Sequence, residues 1–185
     1  NAIALLEDKG FRLLTGNLTT DLIETARRYV GKSSYRRLSS MRDGLFAKFD
    51  CSSFTKWVYG LYGIWLPRRS VQQRTCGITI ELDDLTAGDL VFTSSAWHNY
   101  YVHDPGDGVG HVGIATTEKT VIHATRRQSG VVEELISTFM DGRGFRGARR
   151  IIPHSHHVWM FLAPPEKEIE TSDDIRWIII DSLSS

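Results

Sequence analysis

Cysteine is scarce in this chain. Two thiols in 185 residues exclude the disulfide framework of a small stapled scaffold. No charge of one sign is in excess either: 22 Lys and Arg balance 22 Asp and Glu. That argues against a general nucleic-acid binder, which carries a large basic surplus. Long apolar runs are missing, and the best candidates, Val158–Ala163 and Trp177–Ile180, fall far short of the ~20 residues of a membrane span. There is no signal-peptide pattern, but the chain starts at Asn1 rather than Met, so this carries no information about compartment. Internal repeats and low-complexity tracts are absent as well. What is present is 185 residues, 41% of them hydrophobic, enough for one domain with a buried core.

Residues 1–18 read as a lead-in of strand or short helix, with apolar patches at Ala2–Leu6 and Phe11–Leu14 separated by Gly10. A helix follows, capped by Thr19 or Thr20, striped by Leu22, Ile23, Ala26, Tyr29 and Val30, and ended by Gly31. Residues 32–49 are polar and basic and read as a loop. Asp50 then caps a second helix, in which Phe54, Trp57, Val58, Leu61 and Tyr62 follow the spacing of a buried face. Strand patterns take over afterwards: Asp89–Thr93, a hairpin of His111–Ala115 with Thr120–Thr125, and Phe145–Ile152. Between the first two lies a long insert, Ser94–Gly110, of the kind often functional or mobile in compact domains. Past Pro164 and Pro165 an acidic connector leads to a last apolar segment, Ile175–Ile180. Helices first and strands later predict an α+β domain over 19–153, with an acidic C-terminal extension over 154–185 docked on it. The zero net charge hides an asymmetry: residues 1–153 hold 20 bases and 16 acids, residues 154–185 hold two and six.

Cys51 falls in the first turn of the second helix, where the positive end of the helix dipole lowers a thiol pKa and favours thiolate. The same position suits a small buried residue with no chemistry. Two histidines add weight to the first reading. A hairpin turn centred on residue 117, with Thr116-Thr117-Glu118 as its loop, sets His111 opposite His123 on one face of the sheet. Val112, Ile114, Ile122 and Ala124 then face the core. A base that takes the thiol proton, oriented through its other ring nitrogen by a second polar group, is the triad arrangement. Two ordinary strand histidines, or half of a metal site, are the rivals, and no further ligand at zinc spacing lies nearby.

Five motifs follow in order: Phe49-Asp50-Cys51-Ser52-Ser53-Phe54, Gly63-Ile64-x-Leu66-Pro67-Arg68-x-Ser70-x-Gln72-Gln73, Leu85-x-x-Gly88-Asp89-Leu90-Val91-Phe92, Gly110-His111-Val112-Gly113-Ile114 and Ile122-His123-Ala124. Together they resemble the NlpC/P60 family of cell-wall cysteine peptidases, over about residues 20–152. The resemblance implies a papain-like α+β fold, with the nucleophile helix packed on an antiparallel sheet, and makes 19–153 the catalytic domain. It implies hydrolysis of peptidoglycan stem peptides, commonly between γ-D-glutamate and the diamino acid, outside the cell or in its envelope. Cys51 corresponds to the nucleophile, His111 to the general base and His123 to the residue that orients it. Tyr35, Asp50, Ser52 and Arg68 are substrate-binding candidates, with capping an equal role for Asp50 and loop anchoring an equal role for Arg68. The resemblance implies no metal and no organic cofactor. Two departures stand out: Ser53 replaces the usual glycine, and Arg36-Arg37-Leu38-Ser39-Ser40 replaces the usual Trp-Gly-Gly.

Other features fit bland roles. His154, His156 and His157 lack a carboxylate or thiolate at ligand spacing and read as a solvated loop or strand edge. Cys76 reads as a structural thiol. His98 and His103 lie in the insert, where a substrate role and a surface role are not distinguished. Two rival functions remain open: an amidase or acyl transferase using the same triad, and a non-catalytic binding module of an envelope or phage.

Overall fold

In the computed structural model, residues 1–14, 18–37, 48–94, 108–116, 119–142, 144–152, 160–169 and 172–184 are described. The lead-in is both helix and strand. Helix α1 (Ala2–Asp8) is capped by the Asn1 side chain, which accepts from the Ala4 amide at 3.0 Å, and β1 (Arg12–Leu14) follows. Helix α2 (Leu18–Arg27) begins before Thr19 and Thr20, so neither is its cap, and the chain turns through Gly31 at φ +68°.

The segment expected to be loop contains two short strands, β2 (Ser34–Tyr35) and β3 (Lys48–Phe49), paired in parallel. Helix α3 (Cys51–Gly60) leads through α4 (Ser70–Gln73) and β4 (Ile78–Ile80) to the main strands: β5 (Leu90–Ser94), β6 (Val109–Ala115), β7 (Thr120–Thr125) and β8 (Gly130–Leu135). Helix α5 (Ile136–Met140), β9 (Phe145–Arg150), β10 (Met160–Leu162) and α6 (Ser172–Ser184) complete the order. Among the described residues, eight strands form one sheet in the order β3-β2-β8-β7-β6-β5-β9-β4, all pairs antiparallel except β2 with β3. The expected α+β class is the one observed, and the last apolar segment is helical. The C-terminal extension pairs β10 with β1 and lays α6 against α1. Trp97, His98, His103 and the histidines at 154, 156 and 157 lie outside the described residues.

Helix α3 packs on the sheet through Phe54 and Val58, which share a cluster with Leu90, Phe92, Val112, Ile114, Ile122 and Ala124. Val112, Ile114, Ile122 and Ala124 are the positions that alternation assigned to the core. Leu61 is exposed rather than buried, because the helix ends at Gly60 and Leu61 sits in the turn beyond. Tyr59 is buried in its stead, with its hydroxyl donating to the Gly88 carbonyl. Such a donor meets a partner that an apolar side chain could not satisfy.

The hairpin register differs from expectation by two residues. Ile114 pairs with Ile122 and Ala115 with Val121, so the turn centres on residue 118. Lys119 adopts φ 58°, and the Thr116 amide donates to the Thr120 carbonyl at 2.9 Å. The Thr116 and Thr120 hydroxyls also meet at 2.6 Å. Because strand side chains alternate with period two, a two-residue shift leaves every face assignment intact. It does move His123 from opposite His111 to opposite Gly113.

Candidate active site

Asp50 is the N-cap of α3, at φ −97° and ψ 176°. Its carboxylate accepts from the Ser53 amide at 2.8 Å, and the Ser53 hydroxyl accepts from the Asp50 amide at 2.9 Å. The serine that departs from the usual glycine thus closes a capping box. The same carboxylate receives Arg68 at both oxygens, Nη1 to Oδ1 at 3.0 Å and Nη2 to Oδ2 at 2.5 Å, while Nη1 also donates to the Ser52 hydroxyl at 3.1 Å. This fork holds the loop after α3 against the first turn of the helix. Gln73 completes the anchorage from α4. Fully buried, it accepts from the Thr55 hydroxyl at 2.8 Å and donates to the carbonyls of Ser52 at 2.9 Å and Pro67 at 2.8 Å. The first turn of α3 is therefore fixed by side chains from three segments.

Cys51 opens that turn, buried among the core residues. The structure reverses the expected direction of its titration. Burial, followed by the Asp50 carboxylate, pushes the thiol up to about 11, against the backbone amides of Val112 and Ser52 and the Arg68 guanidinium, which pull it down. Desolvation of the charged form outweighs the helix end. The Val112 amide also places the sulfur beside β6, one residue along the strand from His111. With Cys76 replaced by serine, alkylation of Cys51 by iodoacetamide should rise about tenfold per pH unit from pH 7 to 9. A plateau through that range would show a thiol already ionised. The folded protein holds this proton up to about 11, whereas the ordinary thiol value is 9.0. The stability it contributes is therefore complete below about pH 9 and is lost as pH rises toward 11.

The two histidines do meet, though diagonally. His111 Nε2 lies 2.8 Å from His123 Nδ1, with the rings edge to face at 87°. Gly113 makes this possible. A Cβ there would stand 2.3 Å from Val121 Cγ1 and 3.0 Å from His123 Cβ. Phe139 of α5 covers both rings, at centroid distances of 5.3 Å to His111 and 4.8 Å to His123. His123 is fully buried.

Glu134 of β8 went unrecognised because the strand carrying it did. Its Oε1 lies 2.9 Å from His123 Nε2, and Gln128 Nε2 donates to its other oxygen at 3.4 Å. The available signal was the run Val131-Val132-Glu133-Glu134 after Gly130, a strand edge carrying two adjacent carboxylates. Alternation sends them to opposite faces: Glu133 binds Arg27 of α2 at 3.1 and 3.0 Å, while Glu134 faces His123. The Tyr35 hydroxyl titrates above its ordinary value through burial and the charges of Cys51 and Asp50, with Arg37 and Arg126 opposing. Among the described residues, no group of three or more His, Cys, Asp or Glu side chains is arranged to hold a metal ion.

The profile of the NlpC/P60 family matches residues 28–150. Over 136 residues the chain is 33% identical to a gamma-D-glutamyl-L-lysine dipeptidyl-peptidase of Bacillus cereus, covering 72% of this chain and 36% of that protein. Among solved structures, an NlpC/P60 family protein of Bacillus cereus is similar at TM-score 0.57 and 29% identity, over 76% of this chain and 42% of the other. The NlpC/p60 domain of the peptidoglycan hydrolase SagA is similar at TM-score 0.55 and 28% identity, over 71% of this chain and 97% of that domain. The chain spans little more than a third of the first curated relatives it matches, 36% and 35% of their lengths.

Proposed function

The chain belongs to the NlpC/P60 family, and from that premise we propose that it is a cysteine endopeptidase of the peptidoglycan stem, cutting between γ-D-glutamate and the diamino acid. The observation that carries this reading is the pairing of a buried Cys51 at the start of α3 with β6, whose His111 is hydrogen-bonded to His123. The resting thiol is neutral, so His111 takes its proton as the sulfur attacks the scissile carbonyl. The Cys51 amide belongs to the first helical turn, which has no helical acceptor for its N–H groups, and it donates to the developing oxyanion. His111 then returns the proton to the leaving amine, and water activated by the same imidazole hydrolyses the thioester. His123 orients His111 through the Nε2 contact. The scheme calls on no metal or organic cofactor.

Tyr35, Ser52 and Arg68 bind the stem peptide, while Asp50 works by holding Arg68 and the helix start. Arg37 and Arg126 beside Tyr35 give the rim a cationic character suited to the free carboxylate of the glutamyl residue. The substrate places the protein in the cell envelope or outside the cell.

Mass spectrometry of purified muropeptides after digestion tests the assignment. The expected products are a dipeptide remnant and a diamino-acid fragment, with the sugar–peptide link intact. Cleavage of that link would identify an amidase instead. Intact muropeptides retained on immobilised protein would identify a binding module.

A further inference from the structure

The proposed reaction needs a lone pair on one particular nitrogen of His111, and nothing in the thiol or in His111 itself determines which nitrogen carries it. The contacts beyond His111 do. His111 Nε2 faces His123 Nδ1 at 2.8 Å, and His123 Nε2 faces Glu134 Oε1 at 2.9 Å. An ionised carboxylate accepts hydrogen bonds and donates none, whereas a neutral imidazole has one donor and one acceptor. Starting from the carboxylate, each assignment follows from the last. Glu134 requires the proton of His123 on Nε2, so His123 Nδ1 is an acceptor. His111 must then hold its own proton on Nε2, which puts its lone pair on Nδ1.

We infer that Glu134 is a positioning residue for the reaction: through His123 it sets the tautomer of His111, so that Nδ1 is the atom that receives the Cys51 proton. The inference rests on the reading of His111 as the base. One proton passes from Cys51 Sγ to His111 Nδ1 and later to the leaving amine, while the protons on both Nε2 atoms stay in place and Glu134 accepts none. While His111 is an imidazolium, the carboxylate two rings away offsets its charge, an interaction strengthened by the surroundings. His123 is fully buried, and the Glu134 side chain is only 15% exposed.

The fold builds this line deliberately across three neighbouring strands. Glu134 stands opposite Val121 and diagonal to His123, and His123 is in turn diagonal to His111. Each contact therefore makes the same diagonal step across the sheet, from β8 to β7 to β6. Phe139 covers the two rings and keeps water from offering them alternative partners.

The test uses the full chain labelled with 15N-histidine, together with Glu134→Ala and Glu134→Gln. In the unsubstituted protein, both His111 and His123 should show a protonated Nε2 and an unprotonated Nδ1. Glu134→Ala should give mixed tautomers at both rings and lower kcat about 10–100-fold on a stem peptide, with KM changed less than about twofold. Glu134→Gln keeps an acceptor oxygen and should restore the tautomers and most of the kcat. A His111 proton on Nδ1 in the unsubstituted protein, or unchanged tautomers and kcat in a folded Glu134→Ala, would overturn the inference. If Cys51→Ala or His111→Ala remains active while the tautomers are as expected, the reading of the base fails instead. The two failures are thus told apart.

Discussion

Cys51→Ala is expected to abolish stem-peptide cleavage, by at least ~10⁴-fold in kcat/KM, because no other group in the scheme can form the thioester. The fold should survive the change. Only a sulfur is removed, and the first turn of α3 is held without it by the Asp50–Ser53 capping box, the Arg68 fork and Gln73. The loss of stability should be about 1 kcal/mol, the scale for a small cavity left by one heavy atom. Chromatography of digested muropeptides and a thermal melt check both halves. Cleavage retained in a folded variant would mean that the nucleophile lies elsewhere.

Gly113→Ala is expected to damage both stability and activity, although residue 113 takes no part in the chemistry. The added methyl would meet Val121 Cγ1 at 2.3 Å, His123 Cβ at 3.0 Å and the Ile122 carbonyl at 3.2 Å. All three belong to β7, so β7 must move away from β6 or His123 must tilt. Overpacking of this kind costs about 1–3 kcal/mol. A shift of His123 spoils its contact with His111, and a misplacement of about 1 Å lowers turnover about 100-fold. Denaturant unfolding and kcat measured on the same preparation give both numbers. A variant that lost stability but kept full turnover would show that the imidazole pair tolerates displacement.

Several features are legible in the amino-acid sequence alone. The apolar alternation of Val112, Ile114, Ile122 and Ala124 assigned them to the core, and Phe54 and Val58 to the helix that covers them, because burial imposes a period on each element. Asp50 was legible as a cap because Asp directly before an apolar helical stripe satisfies amides that the helix cannot. The hairpin histidines were legible by face though not by pairing. Face depends only on the period of two, whereas pairing depends on the turn, and left-handed Lys119 with the Thr116–Thr120 contacts shifted its centre by one residue. The strands β2 and β3 are two residues long, and β8 carries two adjacent charges, so none of them has a clean alternating pattern of its own.

The order of motifs, the residue types at 51, 111 and 123, and the balance of charge were settled by the chain alone, since they need only local chemistry and spacing. Three things required the folded molecule. The state of the Cys51 thiol is one: a helix end argues for thiolate, but burial beside the Asp50 carboxylate wins, and burial is a property of packing. The commitment of Arg68 to Asp50 and Ser52 is another, because residues 50 and 68 are brought together only by the turn after α3. The third is Glu134. Its place at the end of a line of two imidazoles exists only because β6, β7 and β8 lie side by side, and no spacing within one strand could disclose it.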